Sequence, residues 1–158
     1  MKRRRYPRFD ELRPSSSVSS YCKKQTSSKN TTPERLLQVA LLRSGLRFKK
    51  NSKIVVGKPD LIFVDSKVAV FVDGDFWHGK NWRKRRSRLS SCNNRAYWIE
   101  KIKANIRRDR QVSGALRKAG WTVLRFWESD VRSSLDAISQ KVFTIVKERS
   151  LGEPFRRI

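Results

Sequence analysis

The segment from Pro59 to Gly79, PDLIFVDSKVAVFVDGDFWHG, constrains this chain more than any other part of it. Asp60–Val64 and Lys67–Val72 are nearly all apolar, too short for helices, and joined by Asp65-Ser66, the pattern of a hairpin between two buried strands. Each run is bounded by an acid: Asp60 opens the first and Asp73 ends the second, with Asp75 and the single histidine, His78, just beyond. A carboxylate at the end of a buried strand loses its hydration and takes up a proton unless a cation compensates it. A divalent cation shared by Asp60 and Asp73 is the simplest compensation, and hard oxygen ligands of this kind select Mg2+ or Mn2+. The plain alternative is an Asp60 that merely starts a strand in a turn.

Around this unit the elements fall into an order. Thr32, Pro33 and Glu34 predict a helix start, with Thr32 as N-cap, and Leu36, Leu37, Ala40 and Leu41 its buried stripe before Gly45 ends it. Phe48–Val56 reads as a strand preceding the hairpin, which makes a β-meander. Lys80–Asn94 is basic and then turn-rich and reads as an exposed excursion. Arg95 to about Ala119 carries Trp98, Ile102, Val112 and Leu116 on one helical face, with Ile99 and Ile106 beside them and Asn105 and Asp109 on the same side. Trp121–Trp127 returns as a strand, and a last helix runs from Val131 or Leu135 to Lys147. The order helix, three strands, helix, strand, helix predicts a mixed α/β sheet with helices packed on it.

The chain has 158 residues, one domain's length, and 38 Lys and Arg against 14 Asp and Glu, a net charge of +24. Such a field repels itself unless a polyanion neutralises it, so nucleic acid is the expected partner. No apolar run is long enough to span a bilayer, and no membrane partner is expected. Residues 1–31 combine basic clusters with Ser and Thr and read as a solvated arm, 32–148 as the folded domain and 149–158 as a tail. Cys22 and Cys92 lie in no Cys/His cluster, which points to a reducing, cytoplasmic setting at the nucleoid.

Four groups then form a candidate site: Asp60, Asp73, His78 and Asp109. His78 reads either as a general base, its tautomer set by a carboxylate on the other ring nitrogen, or as a histidine packed beside Phe76 and Trp77. Asp109 is either that carboxylate or an ion-pair partner for the surrounding arginines. Phe76 and Trp77 are either core or wedges that enter a base stack. In Lys80, Trp82, Arg83, Lys84, Arg85 and Arg86 an aromatic is interleaved with cations, which suits phosphate contact with stacking, or else a solvated charge run.

Pro59-Asp60, FVDGDFWHG (Phe71 to Gly79), YWIEKIKANIRRDR (Tyr97 to Arg110) and GWTVLRFWE (Gly120 to Glu128) together resemble the very short patch repair (Vsr) DNA endonucleases. That family is a branch of the restriction-endonuclease-like PD-(D/E)XK nucleases, and the resemblance runs from about Thr32 to Asp130. It implies a mixed sheet flanked by helices and magnesium-dependent nicking of double-stranded DNA beside a thymine mismatched to guanine. It also implies Asp60 as the central metal ligand joined by the carbonyl of Val72, His78 as the water-activating base with Asp109 as its partner, Glu34 as an acid from the first helix, and Phe76 and Trp77 as wedges. The family pattern has histidine where this chain has Asp73, which instead supplies a direct metal ligand. Its structural zinc positions are occupied here by Asp75, Lys80, Trp82 and Ser129, so no zinc is expected, and the general lysine of the superfamily falls at Asp75. The alternatives are a site-specific homing or defence nuclease of the same fold, and a non-catalytic nucleic-acid-binding protein on a nuclease scaffold.

Overall fold

The computed structural model describes residues 30–89 and 94–152. All but the last two residues of the expected arm, the tail beyond Gly152, and both cysteines lie outside them. The elements begin with α1 (Thr32–Arg43), β1 (Lys49–Lys50), β2 (Leu61–Phe63), β3 (Val68–Asp73), a short helix α2 (Trp82–Arg88), the long α3 (Arg95–Lys118) and β4 (Thr122–Trp127). Two more helices, α4 (Glu128–Ser133) and α5 (Leu135–Ser150), close the order. The sheet runs β1-β2-β3-β4, antiparallel across the first three strands and parallel between β3 and β4. The expected meander and the returning strand are therefore both present.

Because β2, β3 and β4 are covered on both faces, alternate residues feed two cores. Leu61, Phe63, Val68, Val70 and Leu124 pack with Leu37 and Leu41 of α1 and Val142, Ile145 and Val146 of α5. Ile62, Ala69 and Phe71 pack on the other face against Leu116 of α3, with Val112 and Val123 alongside. A third cluster, Leu89, Ile99 and Ile102 with Phe76, Trp82 and Trp98, docks α2 on α3.

Four local expectations shift. The first helix caps one residue earlier, at Thr31, and its buried face is Pro33, Glu34, Leu37, Gln38 and Leu41, while Leu36 is 39% exposed. The 3.6-residue period places 34, 37, 38 and 41 on one side, and Leu36 is turned off it. The first strand shrinks to two residues because Asn51 takes a left-handed backbone (φ 46°), followed by Gly57 and Lys58 at φ 85° and 50°, which no pleated strand accommodates. The basic excursion folds as α2, entered through Asn81 at φ 54°. The final helix keeps its Leu135 start but runs past Lys147 to Ser150, and Glu128–Ser133 forms the separate α4 before it.

Candidate active site

Asp60 sits just before β2, and the hairpin register Leu61↔Val70 brings it across from the end of β3. Its Oδ2 accepts a hydrogen bond from the Val72 N–H at 2.7 Å. Burial pushes the Asp60 carboxyl up to about 7, with repulsion from Glu34 and Asp73 adding to the rise and the Val72 N–H and Arg125 opposing it. Glu34 is buried and braced by the start of its own helix: its two oxygens accept bonds from the Asn30 N–H (2.7 Å) and the Thr31 hydroxyl (2.8 Å). Asp60, Val72, Asp73, His78, Asp109 and Glu34 all line one cavity of about 480 Å3, together with Lys58, Arg108 and Arg125.

His78 follows the β3 end through a turn in which its N–H bonds the Gly74 carbonyl. Its Nδ1 lies 2.6 Å from Asp109 Oδ2 and 3.4 Å from Asp73 Oδ1, and its side chain keeps 22% exposure. The ring is therefore neither sealed nor simply packed among aromatics. Burial raises the Asp109 carboxyl, but the His78 bond and charge, with Arg125 and Arg108, outweigh this and hold it below the ordinary carboxylate range. Asp73 differs most from expectation: both its oxygens are taken by Arg125, Nε to Oδ2 and Nη2 to Oδ1, each at 2.6 Å. Asp75 does not share its face, because the strand ends at Asp73; its carboxylate accepts from the Ser129 N–H and its own N–H donates to Glu128.

Arg125 is the site residue that sequence reasoning left without a role. A single cation inside the largely apolar run WTVLRFW, on a strand packed between helices, calls for an anionic partner, and that signal was readable. Trp98 is the second: it packs at 5.9 Å from Phe76 and 5.7 Å from Trp77, which makes a three-ring platform beside the site. Trp77 is 37% exposed, Lys101 lies over its ring, and Asn105 bonds its carbonyl.

Arg83, Lys84 and Arg86 project from α2 as cations, and Trp82, Arg83 and Arg86 line a surface hollow with Arg95. Arg85 lies over the Phe76 ring and bonds the Lys80 carbonyl. The Lys80 ammonium turns inward instead, to Asp130 and the Ser129 hydroxyl, so it ties the 74–81 turn to α4.

Residues 12–84 match the family model for DNA mismatch endonuclease Vsr. Over 128 residues, 81% of this chain and 85% of the relative, the sequence is 47% identical to the type II nicking enzyme V.NmeDIP of Neisseria meningitidis serogroup C. The chain belongs to the Vsr family. It is also 41% identical over 129 residues to the type II nicking enzyme V.HpaIIP of Haemophilus parainfluenzae, covering 81% of this chain and 90% of that one. To the DNA mismatch endonuclease Vsr of Escherichia coli strain K12 it is 27% identical over 125 residues, 79% of this chain and 78% of that one. The four-stranded mixed sheet between helices is the α/β nuclease fold expected of a Vsr protein. No helix among the described residues is long and apolar enough to cross a membrane.

Proposed function

We propose that this Vsr-family protein is an endonuclease that nicks one strand of duplex DNA, with a divalent cation held by the Asp60 carboxylate and the Val72 carbonyl. The observation that carries the reading is the single cavity in which a carboxyl raised to about 7 stands beside a histidine–aspartate pair. Among the described residues no three His, Cys, Asp or Glu side chains form a metal cage. Mg2+ usually takes one or two carboxylates and completes its shell with water and substrate phosphate, and the Asp60 carboxylate with the Val72 carbonyl offers hard oxygen donors of that kind. When bound, such an ion supplies positive charge against the developing phosphate oxyanion. Asp73, gripped by Arg125, contributes charge to the cavity and a wall beside His78 rather than a free oxygen pair.

His78 serves as the base. With Nδ1–H directed to Asp109, its Nε2 is left as the acceptor that takes a proton from the attacking water. Phe76, Trp77 and Trp98 supply stacking surface, and Arg83, Lys84 and Arg86 contact phosphates. Lys58 and Arg108 line the cavity as further cations for the cut strand. The name of the Escherichia coli relative supports a mismatched base pair as the target, and the type II nicking enzymes support cutting one strand. The test is digestion of matched and G:T-mismatched duplexes side by side, with Mg2+ and with chelator. Nicking of one strand only, dependent on Mg2+ and faster on the mismatch, is the expected result. Binding without cutting on every substrate would leave a non-catalytic module, and site-specific cutting of matched DNA would point to a defence or homing enzyme.

A further inference from the structure

Asp73, His78, Asp109 and Arg125 line the 480 Å3 cavity, and the same four side chains bound a second hollow of about 560 Å3 that extends to Trp82 and Trp127. Two periodicities build it. Ile106, Arg110, Ser113 and Arg117 recur at helical spacing on one stripe of α3, and all four line the hollow. Val123, Arg125 and Trp127 alternate along β4 and so share one face: Val123 packs in the cluster of Leu116 from α3, and the other two line the hollow.

The hollow sets three arginines against two aspartates, and both aspartates are engaged. Arg125 holds the two oxygens of Asp73 at 2.6 Å, while Asp109 lies 2.6 Å from His78 and 3.3 Å from Arg125. Arg110 and Arg117 are exposed, and neither pairs with an acid among the described residues. Beside these two uncompensated guanidiniums stand two half-buried tryptophans, Trp82 and Trp127. Cations for a phosphate and rings for a base are the two elements that hold a nucleotide without reading its sequence. The volume suits a ligand of that size, since small-molecule sites enclose about 300–1,000 Å3.

We propose that this hollow is a nucleotide subsite: it takes the nucleotide of the cut strand that adjoins the scissile phosphate, with its outer phosphate on Arg110 and Arg117 and its base against Trp82 and Trp127. The shared wall makes the two hollows neighbours, so a strand passing Asp60 reaches the second one across His78. This rests on the scissile phosphate lying at Asp60. Binding is therefore measured in chelator, where no bond is cut, so that the two claims fail separately.

G:T duplexes are made with one neutral methylphosphonate at a time along the cut strand. Their affinities are measured by fluorescence anisotropy for the full-length protein and for the Arg110→Gln, Arg117→Gln double variant. The double variant is expected to bind the unmodified duplex at least about tenfold more weakly with an unchanged thermal melt, since both residues are exposed. A neutral linkage beside the nicked bond is expected to cost the parent about tenfold and the double variant less than about twofold further, whereas neutral linkages elsewhere cost both alike. Equal losses in parent and variant at every linkage overturn the proposal, as does a coupled linkage more than about two nucleotides from the bond nicked in Mg2+. If the double variant fails to fold, each single substitution carries the same comparison.

An abasic nucleotide at the position so identified is expected to cost the parent about tenfold in affinity and Trp127→Leu less than about threefold further. An equal loss in both removes the stacking wall and overturns the proposal. If Trp127→Leu fails to fold, the abasic duplex is read with the parent alone, and an unchanged affinity overturns the proposal in the same way. A parent that binds these duplexes but nicks none of them in Mg2+ sinks the nuclease reading, and the coupled linkage then decides the subsite alone.

Discussion

The Val72 N–H donates to Asp60 Oδ2 at 2.7 Å, so the carboxylate that precedes β2 is anchored on the end of β3, beside Asp73. The bond holds the carboxylate at the end of β3, where it lines the cavity. Asp60→Asn preserves shape and loses the charge. Nicking should fall by about 10³-fold, since metal-borne charge stabilisation is worth several kcal/mol and each 1.36 kcal/mol is tenfold in rate. Affinity for duplex DNA should stay within about threefold, because it comes from Lys and Arg contacts to phosphate. Gel-shift and nicking assays on the same preparation check both, and undiminished nicking would remove Asp60 from the reaction.

The raised Asp60 carboxyl has a pH signature. Its ordinary value is 3.8 and its folded value is about 7. Between those two, the native state holds a proton that the unfolded chain has released, so this group's contribution to stability is complete below pH 4 and is lost as pH climbs through 7. Thermal melts in chelator should show Tm declining over that window, and Asp60→Asn should flatten the decline. A divalent ion competes with the proton for the same oxygens, so Mg2+ affinity should rise by about tenfold per pH unit up to about 7 and level off above it. Calorimetric titrations with Mg2+ at several pH values measure this directly, and an affinity independent of pH would place the ion elsewhere.

Much of the site was legible because its residues break local rules. Acids at the ends of apolar strands, and an acid on the inward side of a long helix, are costly unless they converge, so Asp60, Asp73 and Asp109 stood out from the pattern alone. Their partners were less visible. The choice between a shared cation and a guanidinium for Asp73 depends on β4 lying parallel beside β3 with Arg125 across from Phe71, a long-range register that periodicity does not encode. The length of β1 was overread for a different reason: KNSKIVV has strand-like composition, but left-handed backbone at Asn51 and Lys58 turns the chain back toward α3. The α2 helix was missed because WRKRRSR has no apolar stripe, only Trp82 to dock it.

Trp77 is expected to act on DNA rather than on the fold. It is 37% exposed, and its ring packs on Phe76 at 5.1 Å and on Trp98, with Lys101 above it. Base stacking on such a ring is worth about 1–3 kcal/mol. Trp77→Ala should therefore weaken binding to a mismatched duplex by about 10–100-fold, with a smaller loss on a matched one and Tm within about 3 °C of the parent. Lys80→Met should do the reverse, loosening the turn that Asp130 and Ser129 hold while changing DNA affinity little. A uniform loss on both duplexes for Trp77→Ala would make it a general contact and not a wedge.

Gly57 decides how closely the loop before Asp60 approaches α3. Its backbone is left-handed at φ 85°, and a Cβ there would stand 2.1 Å from Val112 Cγ1, a short branched side chain with little room to retreat. Gly57→Ala should cost about 2–4 kcal/mol, part from the left-handed strain and part from overpacking, and lower Tm by roughly 10 °C. Pairing it with Val112→Ala separates the two: the double variant should recover the overlap part and retain the backbone strain, so that the two changes together cost less than their sum. Gly57 and Val112 both line the cavity that holds Asp60, so nicking should recover in the double variant along with stability. Stability restored without activity would mean that the loop sets the position of Asp60 through its backbone path alone.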